Sequence, residues 1–303
     1  MRGGHGVRQC VESRSGVPPR REELISVPST PIADKALAFE AAFPVHSRPA
    51  GGFDWRYYAG GSGDVVLLLT GGVGIGIGWL DLGLALEGRY RVIAVDYPPA
   101  CSFADLADGV TELLAAENVD RAHVVGQSMG GMLAEVLSRR SPTMVRSLVL
   151  TGTGFYGEED RPRLVDKRTQ LEKNPWDAVR EQIRQALRDT WKGSDDLEFW
   201  LERVDAATDG EAGRARTIAG YDAFLDLIGR LPAMLEQPGW KGPTLLIRSD
   251  DDPLITERQV GRLLQMHPDA EVRHYATGGH SLLVSRPEDY LHDVMTFLTE
   301  QPA

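Results

Sequence analysis

Short apolar runs recur along this chain at helix-sized intervals, and that rhythm constrains the fold more than any other feature. VVLLL at 65–69, RVIAVD at 91–96, AHVVG at 122–126 and SLVL at 147–150 show almost no polar alternation. Such runs suit strands buried on both faces of a sheet. Between them lie stretches that read as helices: about Trp79 to Leu86, a segment capped by Ser102 and running through Ala116, and Gly130 to Arg139. Parallel neighbours need crossovers of that length, so the pattern predicts βαβ units in an α/β fold with a doubly wound, mostly parallel sheet. One further strand, in DWRYYAG, precedes VVLLL across a Gly-rich turn from Ala59 to Asp64.

The rhythm stops after residue 154. From Phe155 to Gln237 no strand run occurs, and PWDAVREQIRQALRDTW, DLEFWLERVDAA and IAGYDAFLDLIGRL all have helical character. A stretch of roughly eighty residues is too long for a plain loop. The strand rhythm returns at PTLLIRSDDDP, followed by a helix from Thr256 to Met266, the strand EVRHYATGG and a last helix from Pro287 to Glu300. The expected organisation is an N-terminal extension over 1–45, partly disordered, a core over 46–154 and 238–303, and a helical cap over 155–237.

Composition narrows the function. A formal charge of −11 argues against general affinity for nucleic acid or an anionic membrane. Two cysteines, Cys10 and Cys101, do not make a disulfide framework, and a cytoplasmic setting fits. No Cys/His cluster has metal-site spacing, and no phosphate-cradling Gly-Lys-Ser/Thr occurs, so neither a metal nor a cofactor is expected. The first 31 residues hold no apolar run long enough for a signal peptide or anchor and read as a mobile extension.

The chemistry-bearing feature is HVVGQSMGGMLAE, His123 to Glu135. Gly126-Gln-Ser128-Met-Gly130 matches G-x-S-x-G, with a strand before it and a helix after it. The turn is sharp, so its neighbours are packed too closely for side chains. It lifts the Ser128 hydroxyl beyond the sheet, beside helix N-terminal amides that favour developing negative charge.

On these residues the chain resembles the α/β-hydrolase superfamily over about Phe53 to Phe297. The resemblance implies a triad in the order serine, acid, histidine. YATGGHSLLVSRPEDY supplies His280 in a loop after the last strand, whereas His123, His267, His274 and His292 lie in strands or helices and His5 and His46 precede the sheet. LLIRSDDDPLIT offers Asp250, Asp251 and Asp252; Ser249 stands at the family's glycine, which points to Asp252, with Asp251 second. The oxyanion donors implied are the backbone amides of Met129 and, in LLLTGGVGIGIG, of Gly72. There Thr70 replaces the family's histidine, which leaves the loop's anchor unspecified.

The expected activity is hydrolysis of a small or medium acyl substrate, a carboxylic ester or thioester, through an acyl-enzyme on Ser128. Phe155 and Tyr156, where the chain passes into the cap, are the expected substrate contacts; most other cap aromatics read as packing. The same triad also serves lyases, acyltransferases, cyclases and C–C hydrolases. A non-catalytic binding role is a third reading, because YRVIAVDYPPACSFADLADGVTELLAAENVDRAHVVGQSMGG is weakly similar to the maspardin branch. The oligomeric state is not legible in the sequence.

Overall fold

The apolar runs pair into one sheet. The computed structural model describes residues 31–191, 195–237 and 239–301. The segment read as mobile lies, up to residue 30, outside the described residues. The chain then forms α1 (Ile32–Ala42), β1 (Val45–Ala50), β2 (Phe53–Gly60), β3 (Val65–Leu69), α2 (Leu80–Leu86), β4 (Arg91–Asp96) and α3 (Phe103–Ala116). β5 (Ala122–Gln127), α4 (Met129–Arg140) and β6 (Val145–Thr151) follow. Four helices come next: α5 (Arg161–Lys173), α6 (Trp176–Thr190), α7 (Leu197–Ala207) and α8 (Gly210–Glu236). β7 (Thr244–Ser249), α9 (Glu257–Met266), β8 (Glu271–Tyr275), α10 (Leu282–Ser285) and α11 (Pro287–Thr299) complete the described order.

The strand order is β1-β2-β4-β3-β5-β6-β7-β8. β2 pairs antiparallel with β1 and β4, and every later pairing is parallel. Alternate residues of each central strand face opposite layers. Leu67 and Leu69 join Val124, Leu148 and Leu150 in one apolar cluster with α3, α4 and α8. Val66 and Leu68 join Val92, Val125 and Val149 in a second with α1, α2 and α11. Burial on both faces explains why these strands read as continuous apolar runs.

α1 and β1 do not stand out in the sequence. α1 buries Phe39, and Phe43 just after its end is buried with it, both completely, against the second cluster. β1 is an edge strand whose residues are exposed except Ala50, and its Pro49 is tolerated only because an edge leaves one side unpaired. The four-helix insertion sits between β6 and β7, with its long α8 packed on α5, α3 and α9.

One polar cluster interrupts the first apolar layer. Glu135 of α4 is fully buried; it accepts from Arg139 Nε at 2.6 Å and meets His267 Nε2, at the end of α9, at 2.5 Å. Burial alone would push this carboxyl up, but His267 and Arg139 outweigh burial and hold it below the ordinary 4.5. A depressed folded-state pKa adds stability that is complete above the unfolded-state value and lost as pH falls through the folded one. Glu135→Gln is therefore expected to cost about 3 kcal/mol near neutral pH, since it leaves the Arg139 guanidinium without its counter-charge. It should also flatten the loss of stability below about pH 4.5, both read from denaturant melts across pH.

Candidate active site

A single residue, Ser128, makes the turn between β5 and α4. Ser128 has φ 54° and ψ −118°, outside the comfortable range for a residue with a side chain. Its neighbours hold it there. Its N–H donates to Thr151 O at 2.9 Å, and its carbonyl accepts from Thr153 Oγ1 at 2.7 Å and from the Gly131 amide at 2.9 Å. The flanking glycines answer to close approach. A Cβ on Gly126 would lie 2.3 Å from the Gly130 carbonyl oxygen, and one on Gly130 would lie 1.9 Å from that of Leu69. Gly130→Ala is thus expected to destabilise the fold by about 3 kcal/mol, because backbone on both sides must move; a urea melt checks this.

The three aspartates after β7 separate by partner. Asp250 meets His274. Asp251 accepts from the Gly278 and Gly279 amides at 2.9 and 2.7 Å, which hold its carboxyl below the usual range and steady the loop before His280. Asp252 faces His280 Nδ1, with Oδ2 at 2.9 Å and Oδ1 at 3.1 Å. Asp252 Oδ1 also accepts from the Leu254 and Ile255 amides at 2.8 and 3.1 Å. Both side chains of the pair are almost wholly buried, 9% exposed for His280 and 6% for Asp252.

The His280 segment lies against the serine turn. Its carbonyl accepts from Gln127 Nε2 at 3.4 Å, and a Cβ on Gly152 would touch the His280 carbonyl oxygen at 2.7 Å and come within 3.6 Å of Nδ1. Ser249 Oγ donates to Gly279 O at 2.5 Å, so the residue at the family's glycine position braces the histidine loop. Among the described residues Ser128 Oγ makes no hydrogen bond to the His280 ring.

Two backbone segments lie beside Ser128. Met129 begins α4, so its amide has no intrahelical acceptor. In the loop after β3 the residue against the serine is Gly71, whose Cβ would stand 3.6 Å from Ser128 Cβ, while Gly72 has open space where a side chain would go. The loop's anchor, unspecified by Thr70, is Tyr97. Its hydroxyl donates to Thr70 O at 2.7 Å and its amide to Gly74 O at 2.9 Å. Burial pushes the Tyr97 hydroxyl far above its usual range, so it stays a donor.

Phe155 is 1% exposed and belongs to the first apolar cluster. Tyr156 is half-buried, with its ring edge-on to Phe224 at 5.3 Å. Burial raises its hydroxyl pKa; Arg163 opposes this, and the charges of Asp160 and Asp252 add to it. The insertion's arginines Arg161, Arg163, Arg168 and Arg184 are each paired with a carboxylate of the same insertion. Among the described residues no three His, Cys, Asp or Glu side chains are grouped as a metal site needs, and no helix is long and apolar enough to cross a membrane.

Comparison with known proteins adds context. A family model described as the alpha/beta hydrolase fold matches residues 64–287. The RutD protein of Pantoea ananatis, for which carbamate hydrolysis is the provisional assignment, is 25% identical over 78% of this chain and 89% of its own length. That of Variovorax paradoxus, with the same provisional assignment, is 29% identical over 80% and 94%. Among solved structures, the enol-lactonase of Burkholderia xenovorans superposes with a TM-score of 0.70 at 19% identity, covering 84% of this chain and all of that one.

Proposed function

The chain belongs to the alpha/beta hydrolase fold family, and from that premise we propose that it hydrolyses a small or medium acyl substrate through an acyl-enzyme on Ser128. His280 Nε2 takes the hydroxyl proton as Ser128 Oγ attacks the carbonyl carbon. Asp252 receives the Nδ1 hydrogen bond, fixing the tautomer that leaves Nε2 basic, and stabilises the imidazolium that forms. The Met129 and Gly72 amides hold the oxyanion, and His280 then protonates the leaving group. Water, deprotonated by the same Nε2, releases the acid and restores the serine. Tyr156 contacts the acyl group beneath the helical cap, while Phe155, the other expected contact, is packed in the first apolar cluster. The site needs no metal or cofactor for these steps, and the proposed setting is the cytoplasm.

The observation carrying this reading is the buried Asp252–His280 pair, tied through Gln127 and Gly152 to the strained turn of Ser128. A panel of short p-nitrophenyl esters and thioesters tests it. The expected result is turnover that disappears when a fluorophosphonate has reacted with the folded protein. Absence of both turnover and labelling would favour the binding role. The RutD relatives add a specific reason to include short carbamates in the same panel.

A further inference from the structure

The segment leading into the insertion is fastened to the helix that follows the acid, and one buried side chain makes both connections. Gln259 of α9 is 2% exposed. Its Oε1 accepts from the Thr256 amide at 3.0 Å while its own amide donates to Thr256 Oγ1 at 3.4 Å, which closes a capping box at the start of α9. Its Nε2 donates to both carboxylate oxygens of Asp160, at 3.2 and 3.3 Å, and its backbone carbonyl accepts from the Phe155 amide at 3.2 Å. Arg262, one turn later, donates to Phe155 O at 2.7 Å and pairs with Glu159.

Two parts of the proposed machinery meet at this amide. On one side is the 155–160 segment that carries Tyr156. On the other is the turn from Asp252 to Thr256, whose Leu254 and Ile255 amides fix Asp252 Oδ1. We propose that Gln259 and Asp160 are positioning residues that set the substrate-contacting segment at a fixed distance from the Asp252–His280 pair. The inference rests on the hydrolase reading above and names no new reacting group. A side chain needed only to cap α9 would have no use for an amide donor, since a glutamate caps equally well. The amide is what Asp160 requires.

Steady-state kinetics on an ester turned over by the full-length protein separate the two connections. Gln259→Glu keeps the capping box but sets a carboxylate against Asp160. It is expected to raise KM about tenfold, the effect of one lost hydrogen bond to a charged group, with kcat within about twofold. Adding Asp160→Asn restores the bridge with reversed polarity, because the new amide donates to the new carboxylate, and KM should return to within about threefold of wild type. Gln259→Met removes both connections and should lower kcat as well. Wild-type KM in Gln259→Glu, or no recovery in the double variant, overturns the proposal. So does a parallel fall in kcat and melting temperature with KM unchanged. Fluorophosphonate labelling of the wild type is scored separately: a wild type that is not labelled overturns the hydrolase reading, whereas a labelled wild type with an indifferent Gln259→Glu overturns only this one.

Discussion

Ser128→Ala is expected to lower kcat/KM for ester hydrolysis by about 10⁶-fold and to leave stability within about 0.5 kcal/mol of wild type. The expected size follows from the way a nucleophile and its base act as one unit: without the hydroxyl oxygen there is nothing for His280 to deprotonate. The small effect on stability follows from the local structure. The turn is held by the Ser128 backbone, through Thr151, Thr153 and Gly131, and the hydroxyl itself contributes no hydrogen bond among the described residues. Alanine has the same steric cost at φ 54° as serine. Matched urea melts and initial rates check both halves. A variant that retained a tenth of the activity would exclude Ser128 as the nucleophile.

Asp252→Asn is expected to lower kcat by about 10⁴-fold, although the change removes only one charge. The direction follows from the turn. The Leu254 and Ile255 amides demand an acceptor at Oδ1, so the asparagine carbonyl points to them and its NH₂ takes the place of Oδ2. That group can only donate to His280 Nδ1. The ring proton then moves to Nε2, and the nitrogen that should accept the serine proton no longer can. Asp251→Asn is the matched control. Its carbonyl still accepts from the Gly278 and Gly279 amides, so less than about tenfold should be lost. If the two variants exchanged these effects, Asp251 would be the acid.

Some of this architecture was legible in the sequence for plain reasons. A strand buried on both faces, such as β3, carries no polar residue to obscure it. Ser102 caps α3 and Thr256 caps α9 with the residue types that helix ends favour. Three features escaped. β1 is exposed and contains a proline, so it carries no apolar signal. α10 is a single short turn after His280. α1 announces itself only through Phe39 and Phe43, whose burial depends on partners far along the chain.

The site divides in the same way. The strand–turn–helix context of Ser128 is local, so its glycines could be explained before any coordinates. The choice of Asp252 among three adjacent aspartates came only through the family resemblance, because residue types alone do not say which carboxylate meets a ring 28 positions away. Tyr97 and Gln259 gave no signal. Each acts through one hydrogen-bonding atom on a distant segment, and a tyrosine beside prolines or a glutamine inside a helix has many ordinary uses. The Tyr97 hydroxyl, 27 residues from Thr70, supplies the anchor that the absence of a histidine had left open.

The claim on which the rest stands is that the Ser128 oxygen is made nucleophilic by His280. It is tested most directly by timed fluorophosphonate labelling of the folded protein, with the adduct located by peptide mass mapping. The account predicts one phosphonyl group on the peptide containing Ser128, formed at least about a hundredfold faster than in His280→Ala. An adduct on any other residue, or equal rates with and without His280, would contradict it.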